Sequence, residues 1–339
     1  MSVQPGPTRP FRRLVADFTR SCRSTGVRAA VVLLAALAAT GFDVTPRWPS
    51  RIQVFVANSG SDNVSVYDTR LGKVTATIGV GDYPTGVGAH PSGHRVYVAN
   101  ESSNTISVID TRTLAVVATV PVGANPFGVA ATRTHAYVTN FGSHDVTVVD
   151  TATNAPVKTI AVGRFPHSAV ASPDGSRVYV TNNGSDSVTI IDTGSQTAVG
   201  AIPVGIFPSG IAISFDGKRL YVANTGSDTV TVIELPANRP ARTTKVGRSP
   251  LGVSVTPGGR VHVANTSSGT VSILDPSGDP IDEVKVLKMP EGSAAAPDDS
   301  FVYITNTGSD AVSVIDAENG KRGEPFGVGK QPEGVVVTS

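Results

Sequence analysis

The chain predicts an all-β fold, a seven-bladed β-propeller of four-stranded antiparallel blades closed by its C-terminal strand. Three observations carry this. One phrase recurs with its asparagine at Asn58, Asn100, Asn140, Asn182, Asn224, Asn265 and Asn306. An acid follows ten residues after each, at Asp68, Asp110, Asp150, Asp192, Glu234, Asp275 and Asp316, and a serine three residues after each. The period is about 41 residues, and nothing after residue 45 sustains a 3.6-residue apolar rhythm, so α-solenoid units are excluded.

Residues 1–40 come first. Arg9, Arg12, Arg13, Arg20, Arg23 and Arg28 stand against one acid, Asp17, ahead of an unbroken Ala, Val and Leu run from Ala29 to Ala39. A basic segment before a short apolar one, with Ala36-Leu37-Ala38 as cleavage candidate, reads as a signal peptide. An uncleaved N-terminal anchor is the alternative; the uncharged run falls short of the roughly 20 residues of a membrane-crossing helix. Residues 41–50 read as a linker. Export to the periplasm, the cell envelope or the medium is the expectation. The sole cysteine, Cys22, excludes a disulfide framework, a cysteine zinc site and an iron–sulfur cluster. The whole chain carries 28 basic and 27 acidic residues, but residues 41–339 keep 22 against 26. A mildly acidic body lacks the basic face that phosphate backbones require, so nucleic acid is not an expected partner.

Residues 51–339 hold the seven units. In the fourth, β-branched and aromatic runs bounded by turn residues place strand A at Ser168–Ser172, B at Arg177–Thr181, C at Ser187–Asp192 and D at Ala198–Val204. Four short strands per unit make a propeller blade. The chain enters the repeat at strand B, Ile52–Asn58, and leaves it after a strand A, Gly334–Thr338, so the last strand is expected to complete the first blade. Residues repeated seven times are structural by default. The asparagine is expected to take a left-handed conformation and form an Asx turn, the serine to bond another loop amide, and the acid to cap the C–D turn.

Tyr137-Val138-Thr139-Asn140 and Tyr179-Val180-Thr181-Asn182 match the phrase of the YVTN β-propeller repeats, and the other copies nearly match. The chain resembles that family across residues 51–339. The resemblance implies an exported or surface-associated bacterial or archaeal binding scaffold with no shared catalytic motif.

Because the frame repeats, the informative positions are those that vary. The D–A loops surround the channel of a propeller, and around their prolines stand Asp82, Tyr83, Phe127, Arg164, Phe165, His167, Phe207, Arg248, Glu291 and Glu333. Arg164, His167 and Arg248 fall on one arc and Glu291, Glu333 and Asp82 on the other, with the aromatic residues as one set between them. A polarised amphipathic funnel suits a protein, peptide, glycan or small ligand. Lys288 and Lys330 are candidate ion-pair partners of Glu291 and Glu333. Nucleophile elbows, HExxH, phosphate loops and calcium loops are missing, so no cofactor or metal is expected and a monomeric non-enzymatic binder is the leading expectation. The alternative is a lactonase-like or streptogramin-lyase-like enzyme using His167 with Glu291 or Glu333.

Overall fold

The computed structural model describes residues 52–338. The signal-peptide, linker and Cys22 readings lie outside them. Seven four-stranded antiparallel sheets follow one another along the chain. In the fourth blade the strands are Pro166–Ala171, Arg177–Asn182, Ser187–Asp192 and Thr197–Pro203, so the innermost begins two residues before its expected start. Closure is as expected. The last strand, Pro332–Thr338, pairs antiparallel with the first, Gln53–Asn58, with Val54 opposite Val337 and Phe55 opposite Val336. The innermost strands contact their neighbours in cyclic order all the way round.

Burial explains the sequence pattern within a blade. The two middle strands are covered on both faces by adjacent blades; the first is apolar through Val178, Tyr179 and Val180, and the second carries one buried hydroxyl, Thr189, between Val188 and Ile190. Tyr137, Val146, Val148 and Ile160 of one blade, for example, pack on Val178, Val180 and Ile191 of the next. The outermost strands lie at the rim and are exposed except at their sixth residue, Ile160 or Ile202. Removing that middle surface from water supplies about 25 cal/mol per Å² of favourable free energy.

The repeated asparagine does not play its expected part. Asn58, Asn182 and Asn306 are extended, with φ of −113°, −112° and −124°, and their side chains are buried. The left-handed residue comes four positions later, at Asp62, Asn104, His144, Asp186, Asp228, Gly269 and Asp310. Each asparagine amide instead donates to a hydroxyl seven residues on, in strand C: Ser65, Ser107, Thr147, Thr189, Thr231, Ser272 and Ser313, at 2.8–3.1 Å. Asn182 and Asn224 also accept the amides of Gly163 and Gly205 in the preceding loops, both at 3.1 Å. A buried amide with these partners locks strand B to strand C and to the incoming loop, where a turn residue would have served only itself.

The serine and the acid do act as expected. Ser103 accepts the Asp82 amide at 2.9 Å while Asp62, one blade earlier, accepts the Tyr83 amide at 2.9 Å, and six of the seven D–A loops are pinned by two blades in this way. Asp192 caps its C–D turn through the Ser195 amide at 2.8 Å.

Candidate functional site

Every innermost strand begins with a proline and carries a register shift, a bulge, between that proline and the residue three positions later. A bulge re-aims side chains. Here the residue after the proline lines the axial cavity in six blades, and Thr85, Phe127, His167, Glu291 and Glu333, with Leu251, enclose about 190 Å³. The next position is glycine in six blades, because an added Cβ would run into the neighbouring strand's backbone: at Gly210 against Leu251 O, at Gly334 against Thr85 O. Backbones packed this closely make a narrow channel, walled by these side chains and, two residues further along, by Val87, Ala169, Ile211, Val253, Ser293 and Val335.

The ten predicted residues therefore divide. Phe127, His167, Glu291 and Glu333 are brought together on the channel wall. Tyr83, Phe165 and Phe207 precede their prolines, in the left-handed region, with φ of 52° at each. Phe165 and Phe207 form an outer level, whereas the Tyr83 hydroxyl reaches in to Glu333, whose charge raises its pKa, so the single aromatic set is corrected to two levels. Phe165 and Phe207 lie over Gly184 and Gly226 of the adjoining B–C turns, and Phe207 stays 52% exposed and Tyr83 41%. Asp82, Arg164 and Arg248 stand one residue further out and are exposed. The polarised funnel is thus corrected as well, since these three charges mark the rim and not the wall. Arg164 folds over the Phe165 ring, 5.5 Å from its centroid. Among the described residues, neither Lys288 nor Lys330 forms an ion pair with Glu291 or Glu333; the lysines project outward from the rim position.

His167 and the two glutamates occupy opposite sides of the ring, in the fourth blade and in the seventh and first. The His167 ring lies 4.0 Å from that of Phe127, and its Nδ1 is 3.0 Å from Ser168 Oγ. Burial pushes its pKa down to about 4. Glu333 is buried, and burial first, then the neighbouring Glu291 and Glu101, push its carboxyl up to about 8. Glu291 is raised too, chiefly by burial. Its Oε2 lies 2.6 Å from Thr307 Oγ1, which is also 2.8 Å from the Pro332 carbonyl. Thr225 and Thr266, the equivalent residues, donate to the equivalent carbonyls of Pro250 and Pro290. Thr307 donates likewise and is shared between the Pro332 carbonyl and Glu291 Oε2.

Two residues of the site were missed. Glu101 and Phe141 follow the repeated asparagine, in the same column as Thr307. Glu101 lies close enough to raise the Glu333 carboxyl, and its own carboxyl is raised by burial. Phe141 stacks on Phe165, centroids 4.9 Å apart. Comparing that column between copies would have exposed both, as a charge and a ring among hydroxyl and amide residues. Among the described residues no cluster of three His, Cys, Asp or Glu side chains is placed to hold a metal ion.

A family model described as lactonase, seven-bladed β-propeller, matches residues 45–239. Among curated proteins none matches the chain in sequence. Hydrazine synthase of Kuenenia stuttgartiensis is similar in structure at a TM-score of 0.65, with 23% identity over 75% of this chain and 89% of that one. A candidate 6-phosphogluconolactonase of Bacteroides fragilis gives 0.74, with 15% identity over 86% and 99%. A protein of unknown function from Desulfotomaculum acetoxidans gives 0.75, with 16% identity over 84% and 98%. At these identities the likeness is one of fold.

Proposed function

The chain belongs to the seven-bladed β-propeller lactonase family, and from that premise we propose that its channel hydrolyses an unphosphorylated lactone or comparable cyclic ester. The observation that carries this is the opposed pair on one cavity wall. At neutral pH the His167 imidazole is unprotonated and the Glu333 carboxyl holds its proton. Groups pushed apart in this way are suited to act as base and acid together.

With the ester ring between them, His167 accepts a proton from water as the water oxygen attacks the carbonyl carbon. The ring C–O bond then breaks, and Glu333 gives its proton to the departing alkoxide. The product is a hydroxy acid. The proton on His167 returns through solvent to the Glu333 carboxylate, restoring both groups. Glu291, close beside Glu333, disfavours a second carboxylate charge there and so helps Glu333 keep its proton. Among the described residues no Lys or Arg lines the cavity, which disfavours a sugar phosphate as substrate. The YVTN-like phrase supports a place among those repeats within the family, and the arginine-rich segment ahead of the apolar run supports export.

The test is turnover of a panel of uncharged γ- and δ-lactones, followed by proton release. Glu333→Gln and His167→Gln are each expected to lower kcat by about 10²–10⁴-fold. The wild-type rate should fall as pH drops through about 4, where His167 protonates, and as it rises through about 8, where Glu333 loses its proton. Glu333→Gln should remove the alkaline limb alone. A second reading, a non-enzymatic scaffold holding a protein, peptide or glycan, is favoured by the half-exposed Tyr83, Ile206, Phe207 and Met289 on the rim. Lactone binding without turnover by the wild type would decide for it.

A further inference from the structure

On the face opposite the mouth, the clefts between blades are built from A–B and C–D turns, and their charges are mostly matched. Arg177 pairs with Asp192 and Arg242 with Asp279, Lys218 lies 3.6 Å from Asp216, and Arg239 lies 3.3 Å from Glu234. The cleft between the second and third blades breaks this rule. It encloses about 330 Å³ lined by His90, Ser92, His94, Arg95, Asp110, Arg112, Arg133 and Thr151.

Two substitutions in one A–B turn open the imbalance. The A–B turns of the fourth and fifth blades carry Ser172 with Asp174 and Ser214 with Asp216, each serine bonded to its acid. The second blade has His90 and Ser92 at those places, 2.7 Å apart, so the turn keeps its hydrogen bond and loses its charge. Arg95 stands where Arg177 stands two blades on, but its guanidinium reaches Asn154 at 3.4 Å, with no acid. Asp110 is taken by the Arg112 and Thr113 amides and by the Arg112 side chain at 3.5 Å. Arg133 is held only by its backbone: its carbonyl accepts from Thr151 at 3.2 Å and lies 3.0 Å from His90 Nε2. Its guanidinium has no partner among the described residues, and neither does the His94 ring. The cleft thus presents two guanidinium groups without counter-charge, a third shared with one acid, and the Ser92 and Thr151 hydroxyls, on a body that is acidic overall.

We infer that this cleft binds a doubly charged oxyanion, a phosphate or sulfate group, by forked hydrogen bonds from Arg95 and Arg133, separately from the channel chemistry. Guanidinium forks match the oxygen spacing of such groups, and a phosphate brings the charge that the turn has lost. The group could come as a free ion or as an ester on a larger molecule.

The test titrates the intact chain with inorganic phosphate, glycerol 3-phosphate and a dialkyl phosphate diester, following calorimetry and thermal unfolding in low salt. Saturable binding of the first two, with a dissociation constant on the order of 1 mM, and weaker binding of the singly charged diester are expected. Tighter binding of glycerol 3-phosphate than of phosphate would identify an esterified ligand, and equal binding a free ion. Arg133→Ala should weaken binding about tenfold, as should Arg95→Gln, whereas Arg164→Ala and Arg248→Ala on the far rim should not. No saturation by any of the three, or unchanged affinity in both cleft variants at wild-type melting temperature, would overturn the assignment.

Discussion

One residue shows how a repeat tolerates a costly exception. Strand B carries tyrosine three places before its asparagine in five blades and Phe55 in the first, but His262 in the sixth. That histidine is fully buried, and neither ring nitrogen has a hydrogen-bond partner. Burial, reinforced by nearby Arg260, pushes its pKa down to about 4. Between about 6.5 and 4 the unfolded chain therefore takes up a proton that the folded chain refuses. The stability held above the unfolded value is lost as pH falls towards 4. His262→Phe, borrowing the first blade's solution, should raise stability near pH 7 by about 1–3 kcal/mol by removing two unmet polar groups. It should also flatten the decline between pH 6.5 and 4. Urea unfolding at pH 7.5 and pH 5 measures both, and parallel curves for the two proteins would refute the assignment.

At the scale of the element, the innermost strand decides what the channel can be. Its proline, bulge and glycine recur as a unit. The proline starts the strand, the bulge turns the next side chain inward, and the glycine lets the adjacent backbone approach. In three blades the threonine of the Tyr-Val-Thr-Asn or Tyr-Ile-Thr-Asn phrase completes the contact. Thr139, Thr181 and Thr305 each donate to the carbonyl of the residue after the proline one blade on, at 2.5–2.7 Å. Gly210→Ala is expected to cost about 1–3 kcal/mol, because its new methyl meets only backbone, which cannot swing aside. Gly79→Ala, on an outermost strand with nothing within 4 Å, should be neutral or stabilising by about 0.5 kcal/mol. Equal effects at the two sites, measured by chemical denaturation, would mean that the inner ring yields more than its geometry allows.

At the scale of the whole molecule, the ring is held shut by one seven-residue strand from the far end of the chain. Removing Pro332–Thr338 would uncover Gln53–Asn58, six buried residues, as an open sheet edge. It would also delete Glu333 from the channel. The truncated chain is expected to aggregate, or to melt at least about 10 °C lower, as read by size-exclusion chromatography and thermal unfolding; an unchanged melting temperature would show that closure contributes little. Seven copies, their strand order and this closure were legible in the sequence, because periodic burial forces periodic residues and the chain begins and ends at complementary strands. The buried role of Asn182 and the split of the ten mouth residues were not. Asparagine suits a turn as well as a buried hub, and Tyr83 and Phe127 lie one residue to either side of their prolines. The repeats by themselves determined the architecture. Only the tertiary structure decided which side chains share the channel, because a bulge reverses the facing of one residue per strand, and the proline and glycine that flank that residue do not say which way it points.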